Sequence, residues 1–376
     1  MFGAKGGESM AEPLSEKEKY LLQLIRKNPY ISQQDLAKAL SISRPTVANL
    51  ISGLIKKGHI LGRAYVLSKD EPIVCIGGAN IDRKFHVKEK AQFGTSNPCK
   101  STQSAGGVAR NIAENLGKLG MNVSLITCCG LDSDWRFIKE VSAPYMNLDF
   151  VSQISKTSTG SYTAILEETG EMIMALADME VYEFITPKLL ENHLTLLRQA
   201  KCIIADLNTP KEGLEYLCQF SRENNKDLIL IPVSSPKMKR LPKNLQDVTW
   251  LITNRDESEA YFNREIKDAK DWSVALESWL SLGIKNVIIT NGKDGALIGN
   301  REEILYIPAL ETNEIIDVTG AGDAFSAAVV YSWLEGKSIK EIGKAGTINA
   351  LKTLQSPHTV REDLSAAQLQ KDMEEI

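Results

Sequence analysis

Short apolar runs alternate with helical segments from about residue 72 onward, and this pattern predicts an α/β domain. The runs typical of buried strands lie at 73–77, 123–129, 202–205, 228–233, 248–253 and 287–290. Because helical segments lie between most of these runs, we expect an open, mainly parallel sheet with helices on both faces. Ligands of such a sheet bind beyond the carboxyl ends of its strands.

Two segments do not fit this parallel core. Residues 83–103 are mostly polar, and residues 160–176 have the pattern of a hairpin that turns at 167–170. Lid segments at about 83–103 and 158–178 are therefore predicted to form a small antiparallel β flap over the carboxyl edge of the sheet. Such a flap could close on a substrate and exclude water.

A different pattern precedes this domain. Apolar residues at helical spacing predict a helix at 15–27, a short helix capped by Ser32 and a third helix at 44–57 capped by Ser43. A small hairpin is predicted at 58–67. This order resembles the N-terminal winged helix-turn-helix module of bacterial regulators of the Lrp and MarR type.

The winged-helix resemblance implies that the third helix enters the major groove of DNA. Arg44, Thr46 and Asn49 would then face bases, and Lys56, Lys57 and Arg63 would contact phosphates. The alternative is a three-helix interaction module without DNA binding.

Charge separates the two regions. Residues 1–70 carry 11 Lys and Arg against 6 Asp and Glu, a net of +5, whereas the remaining residues carry a net of −9. Contact with nucleic acid is thus expected only of the first region.

The six cysteines lack metal-ligand spacing, so we expect reduced thiols without zinc or disulfides. No apolar run reaches the roughly 20 residues of a membrane span, and a cytoplasmic protein is expected.

A glycine turn opens the apolar segment 324–334. Residues 317–323 read Asp-Val-Thr-Gly-Ala-Gly-Asp, and the small residues leave backbone amides bare at the positive end of a helix. This arrangement is typical of an anion site. Asp323 beside it could accept a proton from an attacking hydroxyl, as a kinase requires. The alternative is a simple helix cap.

Polar residues follow two other strands. Asn80 and Asp82 come after the first strand, and Gly106-Gly107 opens a helix that carries Asn111, a set that suits a ligand with several hydroxyls. The alternative for the glycine pair is ordinary turn chemistry.

Asn254 and Glu257 open a helix directly after another strand, where they could organise hydrated Mg²⁺ and phosphate or form a capping box. The turn at 290–295 is either a hairpin or a nucleotide contact. Neither the Walker motif nor the protein-kinase signature set is present.

In this order, the motifs across about residues 72–365 resemble the ribokinase family, also called the PfkB carbohydrate kinases. The resemblance implies a ribokinase-like fold, with Asp323 as the catalytic base and the amides around Gly320, Ala321 and Gly322 as the anion hole. It implies ribose contacts from Asn80, Asp82, Gly106, Gly107 and Asn111, with Asp178 on the lid. It implies ATP contacts from Asn254, Thr290, Gly292, Gly295 and Asn349.

The same resemblance implies two kinds of metal ion. Glu257 would hold Mg²⁺ through water, and Asp317, Thr319 and Ser356 would hold a monovalent cation, commonly K⁺.

Within the family, five sequence segments resemble the pseudouridine kinases: 76–82, 95–98, 107–116, 169–172 and 177–179. This implies ATP-dependent phosphorylation of the 5′-hydroxyl of pseudouridine. The alternatives are a kinase for another nucleoside or a furanose sugar, or a ligand-sensing transcriptional regulator.

The expected organisation is a tail at 1–13, a winged helix at 14–70, a kinase domain at 72–365 and a tail at 366–376. We expect a homodimer formed through the lid.

Overall fold

The computed structural model describes residues 14–27, 31–57, 59–60, 71–312 and 314–375. The chain divides into two compact units, Met1–Asp70 and Glu71–Ile376. In the sequence, the change from a purely helical pattern to alternating strands and helices falls at the same place.

The first unit contains α1 (Glu16–Lys27), α2 (Gln33–Leu40) and α3 (Arg44–Lys56). The predicted caps are confirmed, because Ser32 Oγ accepts the N–H of Asp35 at 3.0 Å and Ser43 Oγ accepts the N–H of Thr46 at 3.3 Å. The buried residues of its core include Leu21, Leu36, Val47 and Leu54. Apart from residues 59–60, the hairpin predicted at 58–67 lies outside the described residues.

The larger unit alternates strands and helices. Its strands in the described residues are β1 (Ile73–Ile76), β2 (Asn80–Val87), β3 (Cys99–Gly106), β4 (Val123–Ile126), β5 (Cys128–Cys129), β6 (Ser152–Gln153), β7 (Ser161–Leu166), β8 (Met172–Asp178), β9 (Cys202–Asp206), β10 (Asp227–Ile231), β11 (Trp250–Asn254), β12 (Asn286–Thr290), β13 (Ala296–Asn300) and β14 (Ile304–Ile307). Its α-helices there are α4 (Val108–Lys118), α5 (Ser133–Ser142), α6 (Pro187–Glu191), α7 (Leu194–Gln199), α8 (Lys211–Asn224), α9 (Arg255–Phe262), α10 (Ala269–Ser281), α11 (Ala321–Leu334), α12 (Ile339–Leu354) and α13 (Ala366–Glu375). Among the helices of the described ranges, none is both long and apolar enough to cross a membrane.

The main sheet has the strand order β4-β1-β9-β10-β11-β12-β13-β14. The strands from β4 to β12 are parallel, and β13 and β14 complete one edge in antiparallel orientation. The mainly parallel sheet is confirmed. β13 was implied only by the hairpin alternative for the turn at 290–295, and β14 was not predicted. The run at 123–129 splits into β4 and β5, and β5 pairs with β6 outside the main sheet.

Alternate residues of β1 enter opposite layers of the fold, which confirms helices on both faces. Ile73 and Cys75 pack in the apolar cluster that includes α4 and α11. Val74 and Ile76 pack in the cluster that includes α8 and α10. Each of these apolar side chains is buried, and burial of a Val or Ile contributes roughly 1.5–3 kcal/mol.

The predicted lid is a four-stranded sheet in the order β3-β2-β7-β8. β2 pairs antiparallel with β3 and parallel with β7, and the β7–β8 hairpin completes the sheet. β2 begins at Asn80, shortly after β1 ends at Ile76. The lid therefore rises from the carboxyl edge of the main sheet.

The C-terminal residues differ from the predicted tail. Most of segment 366–376 forms α13, which packs against α12 and buries Leu369 and Asp372. Asp372 lies 2.7 Å from the guanidinium of Arg361, and both side chains are 2% exposed. The helix is thus held by a buried ion pair whose partner precedes it in the sequence.

Replacing Asp372 by Asn is expected to lower the free energy of unfolding by roughly 3–5 kcal/mol, because the buried Arg361 charge loses its partner. Urea denaturation of the full chain measures the change. Asp363→Asn is the matched control, since Asp363 also faces Arg361, at 3.6 Å, but is 64% exposed. Equal midpoints for the two variants would contradict the expectation.

Candidate active site

The helix α11 begins with an open glycine turn at the carboxyl edge. Gly320 is its N-terminal cap with a φ of 85°, and a side chain there would place its Cβ 2.2 Å from the carbonyl oxygen of Thr359. In the described residues, no side chain caps this helix end. The first amides of the helix therefore remain available to an anion, aided by the helix dipole.

Asp323 lies in the first turn of α11 and is half-buried. Its Oδ2 accepts a hydrogen bond of 2.7 Å from Asn111 Nδ2. Burial raises the pKa of Asp323 to about 7, and the neighbouring carboxylates of Asp206 and Asp82 act in the same direction. A carboxylate with this pKa can accept a proton near neutral pH.

Arg110 orients the side chain of Asn111 through a hydrogen bond. Arg110 Nη1 donates to Asn111 Oδ1 at 2.9 Å, so the amide nitrogen of Asn111 points to Asp323. Arg110 is itself buried and ion-paired with Glu114. The resemblance placed Asn111 among the ribose contacts, whereas in the structure its amide is engaged with Arg110 and Asp323.

Four residues predicted to bind hydroxyls form a rim at the base of the lid: Asn80, Asp82, Gly106 and Gly107. Asn80 Nδ2 donates to Asp82 Oδ1 at 2.6 Å, which orients the carboxylate. Burial raises the pKa of Asp82 to about 6. Gly107 has a φ of 100°, and a Cβ there would lie 2.4 Å from the carbonyl oxygen of Gly78. Strand pairing sets Gly106 opposite Asn80, so the polar pair and the glycine pair of the rim are adjacent.

Asp206 was not predicted, although it is the last residue of β9 at the carboxyl edge. Its buried carboxylate accepts the N–H groups of Gly78 and Ala109 at 2.9 Å and of Asn208 at 2.8 Å. These bonds join the end of β1 to the start of α4. A carboxylate at the end of a buried strand is the signal that could have identified it.

Asp178 is exposed at the end of β8, where it pairs in register with Ser161. Ser161 in turn pairs with Ile81, between Asn80 and Asp82. Strand alternation therefore places Asp178 on the face of the lid that carries Ile81, opposite to Asn80 and Asp82, and its contact with substrate stays a prediction.

The capping box, which was one of the two alternatives for Asn254 and Glu257, is present. Asn254 Oδ1 accepts the N–H of Glu257 at 2.8 Å, and Glu257 Oε2 accepts the N–H of Asn254 at 2.9 Å and the hydroxyl of Thr253 at 3.0 Å. Burial raises the pKa of Glu257. One carboxylate beside one amide fits Mg²⁺ held through water, since Mg²⁺ keeps several waters and uses few carboxylates.

The turn after β12 is a hairpin. Thr290 ends β12, and Gly292 and Gly295 lie in the turn that leads into β13. Thr290 Oγ1 donates to the carbonyl oxygen of Thr253 at 3.4 Å, which links this turn to the strand end that carries Asn254. These residues share the carboxyl edge, and their contact with nucleotide stays a prediction.

Asn349 lies in the protein interior. Its side chain is fully buried, its Nδ2 donates to Ala324 O at 2.9 Å and to Asn115 Oδ1 at 3.2 Å, and its Oδ1 accepts from Arg361 Nε at 3.1 Å. This face of α12 turns towards the protein interior, and the contact of Asn349 with nucleotide stays a prediction. Asn349 fixes the start of α11 against α4.

The predicted ligands of a monovalent cation are engaged within the protein. Lys84 Nζ donates to Asp317 Oδ2 at 2.5 Å and to Thr319 Oγ1 at 3.2 Å. Burial acts to raise the pKa of Asp317, but hydrogen bonds from Lys84 and Thr319 outweigh it and lower the pKa. Ser356 Oγ accepts the N–H of His358 at 3.1 Å. The structure therefore places an ammonium group where the resemblance implied K⁺.

The third helix of the first unit presents most of its predicted DNA contacts to solvent. The exposed residues are Arg44, Thr46, Asn49 and Lys56. Lys57 differs from the prediction, because its ammonium lies 3.0 Å from Glu18 Oε1 and is paired within the same unit. Arg63 lies outside the described residues.

A half-buried carboxylate of raised pKa beside bare helix amides, at the carboxyl edge of an α/β sheet, is the arrangement of a phosphotransferase that acts on an alcohol. Residues 70–364 match the pfkB family of carbohydrate kinases, and the chain belongs to that family. Residues 14–60 match a winged helix-turn-helix DNA-binding domain, which confirms the resemblance of the first unit.

The relatives include two kinases of Escherichia coli strain K12. An uncharacterized sugar kinase is 29% identical over 329 residues, which cover 87% of this chain and 90% of the relative. Pseudouridine kinase is 29% identical over 297 residues, which cover 78% and 94%. The solved structure of a carbohydrate kinase from Agrobacterium tumefaciens matches with a TM-score of 0.71 and 30% identity, over 81% of this chain and 97% of that one. The protein is thus a sugar or nucleoside kinase joined to a helix-turn-helix domain.

Proposed function

We propose that this protein transfers the γ-phosphate of ATP to the 5′-hydroxyl of pseudouridine. The observation that carries the kinase chemistry is the 2.7 Å hydrogen bond that sets Asp323 at the open N-terminus of α11. The proposed acceptor is supported by the sequence segments of the lid and the rim that resemble the pseudouridine kinases. It is also supported by the similarity of this chain to a pseudouridine kinase over most of the length of that relative.

In the proposed reaction, the attacking hydroxyl gives its proton to the carboxylate of Asp323 while its oxygen bonds to the γ-phosphorus. The bond to the bridging oxygen breaks and ADP leaves. The amides of Ala321, Gly322 and Asp323 hold the charge of the transferring group. Asn80 and Asp82 position the ribose hydroxyls at the rim. Mg²⁺, held through water by Glu257, would offset the charge of the phosphates.

A phosphorylation screen with ATP, Mg²⁺ and K⁺ tests the acceptor. Pseudouridine, uridine, ribose and fructose 6-phosphate are compared by kcat/KM, and we expect pseudouridine to give the highest value. If the preferred acceptor is another nucleoside or ribose, the result would support the alternative of a kinase for another nucleoside or a furanose sugar. Exclusive use of the sugar phosphate would refute the proposal.

The pH dependence of kcat/KM is expected to follow Asp323. Because the base must be deprotonated and its pKa is raised to about 7, kcat/KM should rise through pH 7 and level off above it. Rates between pH 5.5 and 9 in buffers of constant ionic strength measure this. Asp82→Asn should move the inflection to lower pH, since the carboxylate of Asp82 acts to raise the pKa of Asp323. A flat wild-type profile between pH 5.5 and 8 would argue against Asp323 as the base.

We also propose that the first unit binds DNA, so that one chain combines a kinase with a regulator. Two observations support this proposal. Arg44, Thr46, Asn49 and Lys56 are exposed on α3, and residues 14–60 match a winged helix-turn-helix DNA-binding domain. A mobility-shift assay on the promoter of the gene itself, with and without pseudouridine, tests this function. Arg44→Ala and Asn49→Ala should weaken a sequence-specific shift, whereas Glu16→Ala, at an exposed position of α1, should not.

Finally, we propose a homodimer formed through the lid. Every second residue of the edge strand β8 exposes an apolar side chain, with Met172, Met174 and Leu176 54%, 42% and 57% exposed. An apolar strand of this kind at a sheet edge favours pairing with another chain. Light scattering after gel filtration should give a dimer for the wild type and a monomer for Leu176→Glu. Ile304→Glu, on the main sheet, is the control, and an unchanged mass for Leu176→Glu would exclude the lid interface.

A further inference from the structure

Lys84 reaches from the lid to the loop in front of the anion hole. It lies in β2 two residues after Asp82, so strand alternation places both side chains on the same face of the lid. The neighbouring Arg83 lies on the opposite face and pairs with Asp134 at 2.6 Å. Lys84 is therefore the member of this strand that joins the rim to the segment leading into α11.

The contacts of Lys84 form a closed network rather than a single surface ion pair. Its ammonium donates to Asp317 Oδ2 at 2.5 Å and to Thr319 Oγ1 at 3.2 Å. The second carboxylate oxygen, Asp317 Oδ1, accepts the N–H of Thr319 at 3.0 Å and its hydroxyl at 2.7 Å. Lys84 and Asp317 are 31% and 27% exposed, so solvent screens the pair less than a surface pair.

This network does not fit a resident monovalent cation. Both oxygens of Asp317 and the hydroxyl of Thr319 are already engaged, and the positive charge that would balance the carboxylate is supplied by the protein. Ser356 directs its hydroxyl oxygen to the amide of His358. Among the described contacts, none joins Ser356 to the side chain of Asp317 or Thr319.

We propose that the ammonium of Lys84 takes the place of a monovalent cation in this protein, and that its phosphotransfer therefore needs no K⁺. The inference rests on the proposed kinase function. Asp317 holds the backbone of Thr319, which directly precedes the Gly320 turn, so the charge of Lys84 fixes the loop that presents the anion-binding amides. Because Lys84 belongs to the lid, the same contact couples the position of the lid to that loop. Lys84 acts as a positioning residue.

Steady-state kinetics at constant ionic strength, with KCl exchanged for choline chloride, test the proposal. The wild-type kcat should change less than about twofold. Lys84→Met should lose at least about tenfold in kcat, with a smaller change in the KM of the acceptor, because the anion hole is displaced. KCl or NH₄Cl should restore part of this loss in Lys84→Met and leave the wild type unchanged. Lys100→Met, at an exposed lysine of the neighbouring strand β3, is the matched control and should keep the wild-type kcat.

Thermal melting without substrate gives a second readout that does not depend on kinase activity. A bound cation raises the melting temperature by mass action, so KCl relative to choline chloride should stabilise Lys84→Met and not the wild type. Equal responses of the two proteins would overturn the proposal, as would activation of the wild type by K⁺ of tenfold or more. If the chain phosphorylates none of the acceptors tested, the kinase proposal fails, while the melting experiment still decides the role of Lys84.

Discussion

Replacing Asp323 by Asn is expected to lower kcat by about a thousandfold or more while leaving the fold intact. Asn keeps the size of the side chain and can still accept the hydrogen bond from Asn111, but it cannot take up the hydroxyl proton. Asp323→Ala should abolish turnover in the same way. The comparison is made by kcat with saturating ATP and acceptor, after circular dichroism has shown unchanged secondary structure.

Although it lowers kcat, Asp323→Asn should make the folded protein more stable. The pKa of Asp323 is about 7 in the folded protein and near 3.8 without its surroundings, so folding disfavours the charged carboxylate. The cost of that charge grows between about pH 4 and pH 7 and is constant above pH 7. Asp323→Asn should therefore melt at a higher temperature than wild type at pH 8, with the difference shrinking towards pH 4. A variant with near-normal kcat, or with the same melting temperature as wild type at pH 8, would refute the assigned role.

Gly320→Ala is expected to lower kcat by at least about a hundredfold and to lower the melting temperature. The φ of 85° disfavours any side chain, and the new Cβ would lie 2.2 Å from the carbonyl oxygen of Thr359, so the backbone must shift. The shift displaces the amides of the anion hole, and a misplacement of about 1 Å in such a site costs on the order of a hundredfold in rate. Kinetics and thermal melting of the purified variant measure both effects.

Gly322→Ala is the matched control for the stability effect. No atom lies within 4 Å of a Cβ at Gly322, and its φ is not among the positive values. This variant should keep the wild-type melting temperature. If Gly320→Ala melts like Gly322→Ala and retains wild-type kcat, the glycine turn does not shape an anion hole.

The sequence determined which segments form strands and helices and where the reactive groups lie along them. Glycine turns, helix caps and strand periodicity act over a few residues, so Gly320, Asp323 and the box of Asn254 and Glu257 could be located without coordinates. The first six strands of the sheet, the lid and the N-terminal helices were predicted for the same reason. In the antiparallel edge, β13 was anticipated only as one of two alternatives and β14 was missed, because these short strands lack a flanking helix.

Only the tertiary structure decided which of these groups meet. Lys84 contacts Asp317, and Asp206 contacts the amides of Gly78 and Ala109. Each of these partners is distant in the chain, and no local pattern marks such pairings. Asn349 matched a nucleotide contact by position, yet the orientation of α12 turns it into the core. Local periodicity fixes the backbone of each element, whereas the packing of one element on another sets the neighbours of each side chain. For this protein, the sequence thus determined the catalytic motifs, and the fold decided which charge stands beside Asp317.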